Sequence, residues 1–393
     1  MALTLRKTPI RFVITLLGVA GALSLTGCGG FFQCEGKTDC PSTGTGTSGT
    51  DSGDYAYISN NSTNSDDLSV YDVSAGALNA LSSSPISLGY IPNAMVINPA
   101  NTIMFVSNPA TSVINAYTIG STGALTGGSA VANQIVTAMA ISPDGDYLYA
   151  LDLTSAGTIL DTYSIGTNGT LTAAAQNGYT LPILGTTPTG ASITVAPTGS
   201  NYLVVTLGTV GDVIVPLTDD IVSSTLNPLV ITPTLSNNSP AGDFGAAIDS
   251  NNNVYFSRTG TIAVYSVAAN GSKATSVANT NSATGLGDHA ILITGSYLYT
   301  ANQTAGTISG FSFTSAGILT PLTGSPYAAP TLVSALGVDN TGKYIVASGY
   351  SQSAGTKLYT IGSAGALTAA SVATATSTTT ANPVVIAMTQ TAP

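Results

Sequence analysis

The sequence predicts an all-β protein, a seven-bladed β-propeller closed by a C-terminal strand that completes the first blade. The composition favours strands: Glu35 is the sole glutamate, whereas Val, Ile, Thr and Tyr are plentiful in short runs separated by Gly, Asn and Pro. One strand pattern recurs every 44 to 55 residues, a period typical of propeller blades. Each copy of the pattern except the first begins with an apolar leading strand. The sequence ends with one more such strand, which no other strand follows.

Residues 1–27 are predicted to be a lipoprotein signal peptide. A basic start precedes an apolar run, Phe12 to Leu25, which is shorter than the ~20 residues that span a bilayer. The segment ends in Leu-Thr-Gly-Cys, which resembles the lipobox of bacterial lipoproteins, so Cys28 is the expected lipidation site. Gly29 after the cysteine favours the outer membrane in a host that has one. The alternative is an ordinary signal peptide with an incidental Cys28.

Residues 28–54 are predicted to be a tether between a lipid anchor and the propeller. Cys34 and Cys40 are expected to form a small disulfide loop in an oxidising compartment, since a metal site would need more Cys or His nearby. A stretch rich in Gly, Ser and Thr follows and indicates a flexible spacer. Several acyl chains on one cysteine would hold the protein stably at a membrane.

Residues 55–393 are predicted to form the propeller. Seven second strands are expected around Tyr57, Phe105, Tyr149, Val204, Tyr255, Tyr299 and Ile345. An inner strand precedes each one except the first, and a third strand and a Gly-x-Leu-Thr fourth strand follow. The missing inner strand of blade 1 is predicted at residues 383–389, because this pairing leaves no exposed edge. An open solenoid would need polar caps that the sequence does not show.

Asp144 and Gly145 lie between two strand patterns in "SPDGDYLY" and predict a hairpin turn. A calcium site at Asp144 and Asp146 is the alternative, although this loop offers few of the oxygens that Ca²⁺ requires. No metal or cofactor is expected. The formal net charge is −10, and residues 28–393 carry −13, so nucleic acid is excluded as a partner. We expect a monomer.

Residues 55–390 resemble the seven-bladed β-propeller lactonases, a family that includes 6-phosphogluconolactonase-type and carboxymuconate-lactonizing enzymes. The likeness lies in the "AISPDGDYLY" strand pair and in the Gly-x-Leu-Thr tails. Members of the family show an Arg-His pair followed by Tyr-x-x-Asn-Glu. In this sequence His289, Tyr299 and Asn302 match, but Asp288 replaces the arginine and Gln303 the glutamate.

The repeat places one residue of each inner strand at the same mouth of the central channel: Asn93, Thr137, Ala191, Gly245, His289, Ser334 and Pro383. The loops after the second strands are expected on that face and add Asn60, Asn108, Asp152, Arg258 and Asn302. His289 is the only histidine of the chain. We interpret His289, Arg258 and Asn302 as candidate catalytic residues, and Asn93, Thr137, Asp152, Asp288 and Ser334 as candidate binding residues.

Two functions follow from this site. A lactonase would use His289 as the base that activates water, and Arg258 and Asn302 to polarise the carbonyl. Its substrate is expected to be non-phosphorylated and extracytoplasmic, since clustered cations are absent and export separates the protein from cytoplasmic sugar phosphates. The alternative is a non-catalytic binding or scaffold module for an envelope glycan or peptide, with His289 a bystander at a strand end.

Overall fold

The computed structural model describes residues 53–59, 67–132, 135–154, 157–183, 188–233, 241–279, 283–285, 287–349, 355–373 and 385–390. Cys28, Cys34 and Cys40 lie outside these residues, as do Asn60 and Pro383 of the predicted channel mouth. Within the described part of the chain, no helix has the length and apolar character needed to cross a membrane.

The described residues form seven antiparallel sheets, which are the seven predicted blades. Their bounds follow in chain order. Blade 1 contains β1 (Tyr55–Ser59), β2 (Asp67–Asp72), β3 (Asn79–Ala80) and β4 (Ile86–Ser87); blade 2 contains β5 (Met95–Ile97), β6 (Ile103–Asn108), β7 (Val113–Ile119) and β8 (Leu125–Ala132); blade 3 contains β9 (Val136–Ile141), β10 (Tyr147–Thr154), β11 (Gly157–Ile165), β12 (Leu171–Ala173) and β13 (Tyr179–Thr180); blade 4 contains β14 (Ser192–Val195), β15 (Tyr202–Thr206), β16 (Asp212–Thr218), β17 (Ile221–Val222) and β18 (Leu229–Ile231). Blade 5 contains β19 (Asp243–Ile248), β20 (Asn253–Arg258), β21 (Thr261–Val267) and β22 (Ala274–Val277); blade 6 contains β23 (Asp288–Thr294), β24 (Tyr297–Asn302), β25 (Thr307–Phe313), β26 (Leu319–Pro321) and β27 (Tyr327–Ala328); blade 7 contains β28 (Val333–Val338), β29 (Tyr344–Gly349), β30 (Thr356–Ile361) and β31 (Leu367–Ala373); and β32 (Ile386–Met388) ends the series.

The inner strands of the blades contact one another in a closed ring. The order is β5, β9, β14, β19, β23, β28, β32 and back to β5. In each blade the strands then follow outward in sequence order, joined by antiparallel pairing. In blades 1, 3, 4 and 6 a further short strand (β4, β13, β18 or β27) pairs with the third strand beside the fourth, which the repeat did not predict.

The C-terminal strand closes the ring, as predicted. β32 pairs antiparallel with β1, and Tyr57 lies opposite Ala387. The Tyr55 amide donates to the Thr389 hydroxyl at 2.8 Å, and the Ser59 amide donates to the Val385 carbonyl at 3.0 Å. These bonds cover an edge of blade 1 that would otherwise be open to another strand.

The hydrophobic core consists of seven clusters, one at each junction between neighbouring blades. The junction of blades 7 and 1 has its own cluster, in which Ala56 and Ile58 pack with Val346, Leu358 and Met388. Each blade therefore buries side chains on both faces, which explains why burial along its second strand is nearly continuous rather than alternating.

Tyrosines of the second strands in blades 1 and 6 link these blades to the next one. The Tyr57 hydroxyl donates to the Gly123 carbonyl at 2.8 Å, and the Tyr299 hydroxyl donates to the Gly365 carbonyl at 2.6 Å. Both glycines open a Gly-x-Leu-Thr motif, with φ of +72° and +78°. A β-carbon on Gly365 would lie 2.5 Å from Cδ1 of Tyr297. Glycine is required here because of both the backbone angle and the close approach.

Candidate functional site

The candidate site lies where the inner strands of blades 5, 6 and 7 begin. Each of these strands has a β-bulge at its start: between Asp243 and Ala246, between Asp288 and Ile291, and between Val333 and Ala335. The bulges contain Gly245, His289 and Ser334, three members of the predicted channel-mouth column. Bulges re-aim side chains and are frequent beside active sites.

Hydroxyl groups on the second strands anchor the beginnings of the inner strands. The Ser107 hydroxyl accepts from the Asn93 and Ala94 amides at 3.1 and 2.9 Å. The Ser257 hydroxyl donates to the Gly245 carbonyl at 3.2 Å, and that of Thr300 donates to the Ala290 carbonyl at 3.2 Å. These bonds satisfy backbone amides and carbonyls at the channel mouth that have no partner within the sheet.

His289 occupies the bulge of blade 6, the middle one of the three. Its neighbour Asp288 pairs in register with Asn302. The side chains of Asp288 and His289 lie outside what the structure describes. The proposed roles of both residues therefore remain predictions, made from their places on the strand.

Three of the predicted binding residues lie at the start of their inner strands or just before it. Asn93 is the most exposed of them, and its amide group donates to the Val136 carbonyl of blade 3 at 3.3 Å. The Thr137 hydroxyl donates to the Leu151 carbonyl at 2.9 Å. Ser334 is buried, and its hydroxyl makes no hydrogen bond to a described residue.

Two other predicted site residues are completely buried. Asp152, the sixth residue of β10 in blade 3, has no exposed surface. Asn302 is likewise inaccessible, and its amide group donates to the hydroxyls of Thr307 and Ser309, both at 2.9 Å. In this arrangement Asn302 fixes the ends of two strands of blade 6, a positioning role rather than contact with a ligand.

Arg258 is engaged in a buried ion pair with Asp243. The guanidinium donates twice, from Nε to Oδ1 at 2.8 Å and from the terminal nitrogen to Oδ2 at 2.6 Å. Burial lowers the pKa of Arg258, but hydrogen bonds to Asp243 and its negative charge outweigh that effect, so the pKa lies above its ordinary value. Arg258 is therefore a fixed positive centre compensated by a carboxylate.

A third ionisable residue, Asp212, interacts with this pair and was not predicted from the sequence. Asp212 begins the third strand of blade 4 and has no exposed surface. Burial, followed by the negative charge of Asp243, raises its pKa well above the ordinary value, and the charge of Arg258 offsets this only in part. The sequence does contain a signal that could have identified Asp212. This aspartate stands directly before the apolar run Val213 to Leu217, at a position that threonine occupies in blades 6 and 7.

The hairpin at Asp144 is a turn, as predicted. The Ser142 hydroxyl and the Asp146 amide both donate to Oδ1 of Asp144. Across the described residues, no three His, Cys, Asp or Glu side chains are grouped so that they could hold a metal ion.

The opposite ends of the inner strands of blades 2, 3 and 4 enclose a cavity of about 440 Å³. Its lining combines apolar residues, among them Met139, Ile141, Ile193 and Val195, with polar ones such as Gln390. This cavity lies at the end of the inner strands away from His289.

No family model matches the sequence, and no curated protein sequence matches it either. Solved structures do match. A protein from Bacteroides fragilis, provisionally named a 6-phosphogluconolactonase, superposes with a TM-score of 0.62 at 13% identity, over 87% of this chain and 99% of the other. A periplasmic gluconolactonase from Pseudomonas aeruginosa gives a TM-score of 0.62 at 13% identity, over 84% and 98% of the two chains.

The chain has the lactonase-like propeller fold. A Lactobacillus plantarum protein with no stated activity shares that fold, with a TM-score of 0.63 at 16% identity over 85% of this chain and 99% of the other. The lactonase-like propeller fold therefore accommodates very different sequences, and the fold by itself does not specify the chemistry of any one of them.

Proposed function

We propose that the protein is an exported, lipid-anchored propeller that hydrolyses a non-phosphorylated lactone at the channel mouth of blades 5 to 7. The observation that carries this proposal is the set of three adjoining β-bulges, with the only histidine of the sequence in the middle one. The lactonase-like fold supports the same chemistry, since one of the similar structures is named a periplasmic gluconolactonase.

In the proposed reaction His289 acts as general base. It takes a proton from water as the water oxygen attacks the lactone carbonyl. The tetrahedral intermediate then expels the ring oxygen, which receives the proton from the imidazolium, and the product is an open hydroxy acid. Asn302 positions the end of β24 next to His289, and the ion pair of Arg258 with Asp243 holds the end of β20 against the start of β19.

The proposed binding residues are Asn93, Thr137, Asp288 and Ser334; Asp152, which the sequence also suggested, has no exposed surface and does not reach a ligand in this arrangement. Of these, Ser334 is the best placed donor, because it lies in the bulge next to that of His289 and its hydroxyl has no described partner. A neutral lactone suits this site, because residues 28–393 carry a net charge of −13 and the one described arginine is already paired.

Lactone hydrolysis is tested with His289→Gln, which keeps a hydrogen-bonding side chain but removes the base. We expect kcat to fall by about 10² to 10⁴ on any lactone that the wild type opens. A panel of sugar and aliphatic lactones, followed by acid release at constant pH, is the assay. Lys343→Gln, which changes an exposed residue, is the control. Equal rates for wild type and His289→Gln would refute the role of His289.

The second candidate function is a non-catalytic binding module for an envelope glycan or peptide. The pairing of Arg258 with Asp243 and the complete burial of Asn302 favour it, because neither group is free to polarise a substrate in this arrangement. No turnover across the lactone panel, together with saturable binding of one envelope component by wild type and His289→Gln alike, would support this function over catalysis.

Lipid anchoring is tested separately with Cys28→Ser. We expect the variant to leave the membrane fraction, since acylation at this cysteine supplies the proposed anchor. Fractionation and metabolic labelling with a fatty acid measure the effect, and Cys34→Ser serves as the control that keeps the anchor. A Cys28→Ser protein that stayed with the membrane would contradict the lipoprotein assignment.

A further inference from the structure

The junction between blades 4 and 5 contains two aspartates and a single arginine. Asp243 and Arg258 come from the first two strands of blade 5, and Asp212 comes from the third strand of blade 4. All three side chains are buried, with relative exposures of 0% for both aspartates and 5% for Arg258. With all three ionised, these described groups together would carry one net negative charge in a buried site.

The guanidinium of Arg258 is committed to Asp243 through two hydrogen bonds. Neither oxygen of Asp212 accepts a hydrogen bond from a described donor. Burial is the main cause that raises the pKa of Asp212, and the negative charge of Asp243 raises it further. An ionised Asp212 would lose its hydration and gain no donor in return, a cost that the neutral acid avoids.

Backbone contacts hold Asp243 between the two blades. The Gly208 amide of blade 4 donates to the Asp243 carbonyl at 3.0 Å, and the Asp243 amide donates to the Gly208 carbonyl at 3.3 Å. Asp243 is thus fixed to blade 4 by its backbone and to Arg258 of blade 5 by its side chain. A negative charge on Asp212 would repel the charge of Asp243, which this connection holds in place.

We propose that Asp212 is held as a neutral carboxylic acid at the junction of blades 4 and 5, so that no second negative charge is buried there beside the Asp243–Arg258 ion pair. The described ionisable groups acting on Asp212 are Asp243 and Arg258, and Tyr265 acts on Arg258 from β21. Asp288 and His289 begin the inner strand of blade 6, which packs on that of blade 5, and their side chains lie outside the described part of the structure. The proposal does not depend on lactone hydrolysis.

The raised pKa of Asp212 gives the pH dependence a definite sign. Unfolded, Asp212 titrates near its ordinary value of about 4, whereas in the folded protein it keeps its proton to higher pH. Its contribution to stability is complete below pH about 4 and is lost as the pH rises toward the folded-state pKa. Within that window the folding equilibrium constant of the wild type falls by up to about tenfold per pH unit through this group.

The test compares wild type with Asp212→Asn, a neutral isostere, and with Asp146→Asn, an exposed control. We expect the infrared spectrum of the wild type at pH 7 to contain the carbonyl stretch of a protonated carboxyl that Asp212→Asn lacks and Asp146→Asn keeps. We also expect the Tm of Asp212→Asn, relative to wild type, to increase as the pH rises from 4 to 8.

Three results would overturn the proposal. One is an infrared spectrum at pH 7 that is unchanged by Asp212→Asn in the protonated-carboxyl region. Another is a Tm difference between the two proteins that is independent of pH. The third is failure of Asp212→Asn to fold at neutral pH, because a site built for a neutral carboxylic acid tolerates an amide of the same shape.

Discussion

At the scale of single residues, the buried ion pair of Arg258 and Asp243 shows how a charged side chain can be placed in an apolar protein. The two hydrogen bonds between them offset part of the cost of removing both charges from water. Such a pair adds little stability relative to apolar residues, but it cannot be broken from one side without leaving a buried charge.

We therefore predict that Arg258→Met destabilises the protein by about 3 to 5 kcal/mol, because Asp243 is left without its cation. Urea unfolding followed by circular dichroism measures the change. The double variant Arg258→Met with Asp243→Leu should recover most of the loss, and Lys343→Met at an exposed position should change little. A single variant as stable as wild type would show that the pair is dispensable.

At the scale of strands and turns, the Gly-x-Leu-Thr motifs are contact points between blades. Gly365 lies against Tyr297 of the preceding blade, and its carbonyl accepts the hydroxyl of Tyr299. Gly123 has the same relation to Tyr55 and Tyr57 of blade 1. The glycine of this motif is therefore required by its close contact with the neighbouring blade as well as by its turn.

For this reason Gly365→Ala should destabilise the protein more than an alanine at a glycine with a similar backbone angle but open surroundings. Gly89 is the matched control, because its φ is +72° and a β-carbon placed there would have no atom within 4 Å. We expect about 1 kcal/mol for Gly89→Ala from strain alone and about 2 to 4 kcal/mol for Gly365→Ala. Thermal unfolding compares the two, and equal losses would exclude a packing role for Gly365.

At the scale of the whole molecule, stability depends on closing the ring. Each of the seven hydrophobic clusters spans two blades, and Met388 of β32 contributes to the cluster between blades 7 and 1. Gln390 extends this closure to blade 2, where its backbone amide donates to Oδ1 of Asn101 at 2.7 Å.

A chain that ends at residue 384 lacks β32 and should be destabilised by several kcal/mol, since it loses the backbone bonds to β1 and the buried Ala387 and Met388. A chain that ends at Gln390 keeps the closure and is the control. Hydrogen exchange should show the loss of protection first in β1 and β2. Equal protection in both truncated chains would mean that the ring does not need this strand.

The sequence predicted the blades well because a propeller repeats one local pattern. The apolar runs around Tyr57, Phe105 and Tyr299 all became second strands, and the hairpin at Asp144 became a turn. The short additional strands were missed, since β13 and β27 are two residues long and leave no periodic signal. Residues 383–389 were assigned to blade 1 because the first copy lacked a partner.

The candidate site was predicted only in part. Counting along the repeat placed Gly245, His289 and Ser334 at corresponding positions, and all three lie in bulges at the starts of inner strands. The same counting gave no information on burial, so it did not distinguish the enclosed Asn302 from a residue at an open mouth.

The sequence by itself determined the number of blades, their strand order and the strand that closes the ring, because these follow from a local pattern repeated along one chain. Only the tertiary structure decided which charges meet. Asp212, Asp243 and Arg258 come from two blades and three strands, and their energies depend on distance and on exclusion of water. Neither quantity is encoded in the spacing of residues along the chain.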